Sequence, residues 1–168
     1  MTGVRKVDEK RWRLRIGERL ADFPRQHEAL RFAMEAFGPD FEIEAFKAAY
    51  ESREDLEAYN RAQTVERALG RVQNYVAELA IDGCKLAELQ EVRARSGEAN
   101  DAFATLAGAD VISGALRGRL GRAQKARSAI EHHYVGIPAG TVHRAAELVR
   151  DCSLEFIGPY RDWIEAYL

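Results

Sequence analysis

A cation, a hydroxyl, two imidazoles and a phenol follow one another in one short segment of the sequence. These groups belong to Arg127, Ser128, His132, His133 and Tyr134. Histidine titrates near neutral pH and can act as a general acid or a general base. An arginine guanidinium is a planar fork that fits phosphate oxygens. The residue types therefore indicate phosphate binding combined with proton transfer.

Other chemistries have no comparable signal in the sequence. The zinc motif His-Glu-x-x-His, the phosphate loop Gly-x-x-x-x-Gly-Lys and the nucleophile elbow Gly-x-Ser-x-Gly are all absent. Cys84 and Cys152 lack the spacing of metal ligands, and we expect both to be reduced, buried thiols. We interpret His27 and His143 as surface or packed residues. The sequence thus predicts neither a metal site nor a cofactor.

The composition is that of a soluble globular protein. The chain has 168 residues, of which 46% are hydrophobic and 31% charged, and we expect a single domain over residues 1–168. A net charge of −2 excludes general attraction to polyanions, so any nucleic acid would have to meet a local basic patch. No apolar run has the length of a signal peptide or membrane span, which predicts a cytoplasmic protein without a membrane partner.

Apolar residues recur every three or four positions, which predicts an all-α antiparallel bundle of about four main helices plus short ones. We expect the first helix to be interrupted near Pro24 and a second piece to run from Pro24 to Phe37. Asp40 is the predicted cap of a short helix. The most regular pattern is a packing seam on a long helix, formed by Val65, Leu69, Val72, Val76 and Leu79.

The helix that carries the candidate residues is predicted to begin after Ser113, as its N-cap, and to run from about Gly114 to Tyr134. Gly136 and Pro138 then end it. Its apolar stripe contains Leu116, Leu120, Ala123 and Ile130, and also includes Arg127 and Tyr134.

An arginine on an apolar stripe needs an explanation, because desolvating its charge without a partner costs several kcal/mol. One explanation is that an acidic group of a neighbouring helix pairs with Arg127. The other is that the stripe opens at this point onto a functional site or a second subunit.

The segment from Arg127 to Tyr134 reads R-x-x-x-x-H-x-Y. It resembles the signature of the HEPN (higher eukaryotes and prokaryotes nucleotide-binding) superfamily, in its HepT-like toxin branch. Residues 100–112, 65–69 and 74–79 also resemble segments of that branch, so the resemblance covers roughly residues 40–168. Ser128 departs from the pattern, since the family usually has Asn, Asp or His there.

The resemblance implies a metal-independent endoribonuclease toxin that acts as a homodimer, with RNA as substrate. Arg127 and His132 would be the catalytic residues, with Ser128 and His133 in supporting positions. It also implies a nucleotidyltransferase antitoxin that adenylylates Tyr134. Residues five apart on a helix are separated by about 140°, so Arg127 and His132 of one chain do not face one point. This geometry favours a composite site at a dimer interface.

Four further cations precede the motif on the same helix, namely Arg117, Arg119, Arg122 and Lys125. They could contact RNA phosphates, or they could serve only solubility. Two other readings of the chain remain open. It could be a non-catalytic helical adaptor that binds a nucleotidyltransferase, or a plain helical scaffold in which the motif is coincidental.

Overall fold

The computed structural model of the chain describes residues 2–89, 98–132 and 136–168. In these ranges the backbone forms α-helices and one short 3₁₀ helix, and no strand. The α-helices are α1 (Thr2–Glu35), α2 (Ile43–Tyr50), α3 (Leu56–Leu86), α4 (Glu98–Gly108), α5 (Gly114–His132) and α6 (Ala139–Ile164), and the 3₁₀ helix is Glu165–Tyr167.

Four long helices, α1, α3, α5 and α6, form the bundle, and α2 and α4 are short, so the predicted all-α class is confirmed. Side-chain contacts show the direction of α1 relative to α3. Arg19 contacts Asp82, whereas Asp22, further along α1, accepts a hydrogen bond from Tyr75, earlier in α3. The contacts run in opposite order along the two helices, which are therefore antiparallel.

Two predictions for the first 42 residues are wrong. Pro24 does not interrupt the first helix, because α1 is continuous from Thr2 to Glu35. A proline removes a helical hydrogen bond, but Phe23 and Leu30 on either side of it are buried in the core and hold the helix in register. Asp40 does not cap α2, whose N-cap is Glu42 without a side-chain bond.

The long helix α3 follows its predicted seam. All five aliphatic residues of that seam are completely buried: Val65, Leu69, Val72, Val76 and Leu79. The Asp55 carboxylate caps the helix by accepting a hydrogen bond from the Ala58 amide at 2.9 Å. The helix continues through Gly83 and ends at Leu86.

Helix α5 begins as predicted. The Leu116 amide donates a hydrogen bond to Ser113 Oγ at 3.1 Å, so Ser113 is its cap. Leu116, Leu120 and Ala123 are buried, which confirms the apolar stripe over the first half of the helix. Within the described residues α5 ends at His132, and the predicted extension to Tyr134 lies outside them.

The two cysteines and two of the histidines are packed into the structure. Cys84 and Cys152 are free and buried, and burial raises the pKa of Cys84 to about 12 and that of Cys152 to about 11. His143 donates a hydrogen bond to the Phe41 carbonyl at 2.6 Å, and the ring of His27 contacts the Arg150 carbonyl. All four side chains are therefore buried in the fold or bonded to another part of the chain.

No helix in the described ranges has both the length and the apolar character needed to cross a membrane.

Helix α6 packs closely against α3 at Gly83. A Cβ atom at this position would lie 2.5 Å from Tyr160 Oη and 3.0 Å from the Trp163 ring. The Tyr160 hydroxyl donates a hydrogen bond to the Leu79 carbonyl and its ring is completely buried, so it has no room to move away. The glycine is therefore required for this contact.

We predict opposite effects of the same substitution at two glycines of α3. Gly83→Ala should lower the free energy of unfolding by about 1–3 kcal/mol, because the added methyl group overpacks the core. Gly70→Ala should raise it by about 0.5–1 kcal/mol, since a Cβ there meets no atom within 4 Å and alanine is the better helix former. Urea unfolding followed by circular dichroism measures both changes, and equal effects would contradict this packing.

Candidate functional site

Residues of α5 after its midpoint face two different grooves. Arg127, Ile130 and Glu131 line a cleft of about 640 Å³ between α5 and α3, which we call the Arg127 cleft. Ser128 lines a second groove, of about 600 Å³, which we call the Ser128 groove. Each residue of a helix is rotated by about 100° from the one before, which explains how neighbours in the sequence reach separate grooves.

Arg127 is held at the edge of the Arg127 cleft. Its side chain is 21% exposed, and its Nη2 lies 3.1 Å from the carboxylate of Glu131, one turn further along α5. Its acidic partner therefore comes from its own helix and not from a neighbouring one. The apolar stripe opens at Arg127 onto a cleft.

The opposite wall of the Arg127 cleft is a polar face of α3. Arg67, Gly70, Arg71 and Asn74 all line it, and their spacing of three and four places them on one side of the helix. Both arginines are exposed, and neither has an ion-pair partner in the part of the chain that the structure describes. The position of Gly70 leaves open space, because a Cβ atom there would meet nothing within 4 Å.

Sequence reasoning missed Arg67 and Arg71. A signal for them was present, since both lie one turn apart on the face of α3 turned away from most of the buried seam. The sequence assigned no role to that face, because nothing in a single sequence shows which neighbouring helix lies opposite it. The structure places Arg127 of α5 there.

Two tyrosines complete the Arg127 cleft. The Tyr50 hydroxyl donates a hydrogen bond to Glu66 Oε2 at 3.1 Å. Burial, reinforced by the charge of Glu66, raises the pKa of Tyr50 to about 12, so the phenol stays protonated. Tyr59 is more exposed, at 37%. Glu131 pairs with Arg127, so Arg67 and Arg71 are the cations of the cleft without an ion-pair partner among the described residues.

The predicted RNA-binding cations do not all lie together. Arg117, Arg122 and Lys125 line the Ser128 groove. Arg119 is not among its lining residues and forms a double hydrogen bond with Glu155 of α6, at 2.7 and 2.9 Å. Its guanidinium is therefore already engaged in tying α5 to α6.

His132 is exposed in the last turn of α5 and lines neither the Arg127 cleft nor the Ser128 groove. One chain therefore does not bring Arg127 and His132 to the same side of the helix, in agreement with their calculated separation around it. His133 and Tyr134 lie outside the described residues. No group of three or more potential metal-ligating His, Cys, Asp or Glu side chains occurs in the described ranges.

A pair of amide side chains joins α3 to α5, with Gln73 in the core and Gln124 half-buried beside the Ser128 groove. Gln73 is completely buried and donates a hydrogen bond from Nε2 to Gln124 Oε1 at 3.0 Å. A polar group that is buried without a partner is costly, so this bond favours one rotation of α5 about its axis. That rotation turns Arg127 towards α3 and Ser128 away from it.

The chain has no match among protein-family models, curated proteins or solved structures. The case for a HEPN-like protein therefore depends on the residues of the motif and on the helical architecture.

We predict that Glu131→Gln increases the affinity of the Arg127 cleft for a phosphate-containing oligonucleotide about two-fold. A solvated pair one helical turn apart contributes only about 0.3–0.5 kcal/mol, and the substitution frees Arg127 and removes one negative charge. Fluorescence anisotropy with a labelled, uncleavable RNA strand measures the effect. Glu57→Gln is the matched control, because Glu57 forms a similar pair with Arg61 outside this cleft. Equal effects of both variants would count against phosphate binding at Arg127.

Proposed function

We propose that the chain is a HepT-like HEPN endoribonuclease toxin whose active site is composed of residues from two copies of the chain. The observation that carries this proposal is the position of Arg127. It lies on the apolar stripe of α5 and yet opens onto a polar cleft with two further arginines. A guanidinium in that position can bind a phosphate without first being extracted from the core.

The chemistry follows from the residue types. Arg127 binds the scissile phosphate and stabilises the charge that develops on the phosphorane. His132 accepts the proton of the attacking 2′-hydroxyl or donates one to the leaving 5′-oxygen. Its position in the last turn of α5 is favourable for a protonated imidazole, because the negative end of the helix dipole lies there.

A second chain is needed because the two catalytic residues diverge. Arg127 faces the cleft beside α3, whereas His132 is exposed outside it. In a two-fold homodimer that pairs the ends of α5, the imidazole of one chain reaches the phosphate held by the arginine of the other. The symmetric arrangement supplies two such sites, each with an arginine from one chain and a histidine from the other.

A non-catalytic adaptor is the second candidate, and the position of Ser128 favours it. This residue occupies the place where the HEPN pattern usually has Asn, Asp or His, and it lines the Ser128 groove instead of the Arg127 cleft. An adaptor would keep the fold and the partner nucleotidyltransferase without cleaving RNA.

Complementation between two inactive chains tests the composite site. Arg127→Ala and His132→Ala should each lower the cleavage rate by about 10²–10³, and each should abolish growth inhibition when expressed. Mixing the two proteins after dissociation should restore cleavage, because one site of each mixed dimer then holds an intact arginine and an intact histidine. Arg61→Ala, on α3 outside the cleft, serves as the control.

The results of this experiment separate the candidates. Recovery of cleavage on mixing supports the composite site. Full loss without recovery would place both residues in one chain, and an unmodified chain that neither cleaves RNA nor inhibits growth would favour the adaptor.

Neutralisation by a nucleotidyltransferase antitoxin is the last part of the proposal. We expect AMP on Tyr134 when the chain is co-expressed with such an enzyme from its genomic neighbourhood. The modification would place a phosphate and a base close to the end of α5. Intact-mass and peptide mass spectrometry of the inhibited complex measure it, and Tyr134→Phe is the control. Inhibition with unmodified Tyr134 would contradict this route.

A further inference from the structure

We propose that the α3 wall of the Arg127 cleft binds the backbone of single-stranded RNA through Arg67 and Arg71, with Tyr59 as a stacking surface for a base. This inference extends the proposed function, because the RNA in question is the strand whose scissile phosphate Arg127 holds. None of the three residues belongs to the R-x-x-x-x-H-x-Y motif.

The two arginines have the spacing and freedom that such binding needs. Residues four apart on a helix have Cβ atoms about 5–6 Å apart on the same face, so two neighbouring guanidinium groups can engage one phosphate or two successive ones. Both side chains are exposed, and both lack an ion-pair partner among the residues described by the structure. A phosphate therefore displaces only water from them.

Arg67 and Arg71 differ in this respect from Arg127 and Arg119, whereas Arg117, Arg122 and Lys125 of the Ser128 groove are likewise exposed and without an ion-pair partner among the described residues. Arg127 is paired with Glu131, and Arg119 with Glu155. The remaining carboxylate of the cleft, Glu66, is bonded to the Tyr50 hydroxyl. Arg67 and Arg71 thus contribute two unpaired positive charges to the α3 wall, beside the hydrogen-bonded carboxylate of Glu66.

The cleft has two tyrosines, of which Tyr50 is packed against the protein and Tyr59 is exposed. The Tyr50 ring packs on Phe46, with ring centroids 5.6 Å apart, and its hydroxyl is bonded. Tyr59 is 37% exposed and lines the cleft near the start of α3. An exposed aromatic ring in the same groove as unpaired arginines is typical of proteins that bind single strands, in which bases stack on aromatic side chains.

The dimensions of the Arg127 cleft favour a single strand over a duplex. Tyr59 and Asn74 are 15 residues apart on one helix, which corresponds to about 22 Å along its axis. Proteins that recognise double-stranded RNA by shape typically contact about 16 base pairs, a far longer surface. The open space at Gly70 lets a strand approach the backbone of α3 between the two arginines.

Binding of a fluorescent, fully 2′-O-methylated RNA strand tests the inference, because this strand lacks the attacking hydroxyl and stays intact. We expect Arg67→Gln combined with Arg71→Gln to raise Kd at least ten-fold. The slope of log K against log salt concentration should become shallower by about 1.4, since each lost contact to a single strand contributes about 0.7. Arg61→Gln, a cation of the same helix outside the cleft, should leave Kd and slope nearly unchanged.

Two further variants separate the shape of the cleft from its charge. Gly70→Leu fills the open space between the arginines and should weaken binding at least five-fold with the net charge unchanged. Tyr59→Ala should weaken binding about five-fold or more without altering the salt slope, because stacking releases no counterions. Circular dichroism and thermal unfolding confirm that each variant is folded.

Cleavage of an unmodified strand by the same proteins keeps the two proposals distinguishable. If the double arginine variant binds and cleaves RNA like the unaltered chain, the inference is overturned while the proposed function stands. If the chain binds RNA through Arg67 and Arg71 but never cleaves it, the α3 site is supported and the nuclease is not. If the chain does not bind the strand, or if Arg61→Gln has the same effect as the double variant, the inference is overturned.

Discussion

Burial of the aliphatic seam on α3 is the constraint on which the structure depends. This helix packs against each of the other five, and its seam residues are completely inaccessible to solvent. Once that face is committed to the core, the rotation of α3 is fixed. The same rotation turns Arg67, Gly70, Arg71 and Asn74 towards the C-terminal half of α5. The cleft is thus a by-product of core packing, and its polar wall needs no loop to hold it in place.

The rotation of α5 determines how the motif can act. A helix turns its side chains by about 100° per residue, so Arg127 and Ser128 reach different grooves and His132 reaches neither. The hydrogen bond between Gln73 and Gln124 favours this rotation from inside the bundle. Residues that are close together in the motif therefore lie on different sides of α5. We propose that its parts meet only when a second copy of the chain supplies the missing side.

The elements that the sequence predicted well are those determined by local chemistry. The seam from Val65 to Leu79, the Ser113 cap and the buried first half of the α5 stripe all follow from periodicity and capping preferences. The break at Pro24 was wrong because the tertiary packing of Phe23 and Leu30 outweighed a local preference. The Asp40 cap was wrong because the chain forms a turn closed by the bond from the Glu42 amide to the Phe37 carbonyl, and α2 begins only after that turn.

The candidate site was only half predictable from the sequence. Arg127 was recognisable because a charge on an apolar stripe is anomalous within a single helix. Arg67 and Arg71 were not, since an arginine on a polar face looks like ordinary solvated charge until the opposite wall is known. The separation of Arg127 from His132 followed from helix geometry alone. The engagement of Arg119 by Glu155 did not, because it joins residues 36 positions apart on different helices.

The pairing of Arg127 with Glu131 has a consequence for how ionic strength acts on the cleft. If Arg127 binds a phosphate, as we propose, the phosphate takes the place of the Glu131 carboxylate, so that binding would be an exchange of one anion for another. Binding would release counterions from the phosphate, while the freed Glu131 carboxylate would bind counterions from solution. The net number of ions released would therefore be small. At the uncompensated guanidinium groups of α3, by contrast, each captured phosphate liberates ions into bulk solvent. A higher salt concentration would therefore weaken the binding of a strand to the α3 arginines, while the contribution of Arg127 on α5 would stay nearly constant.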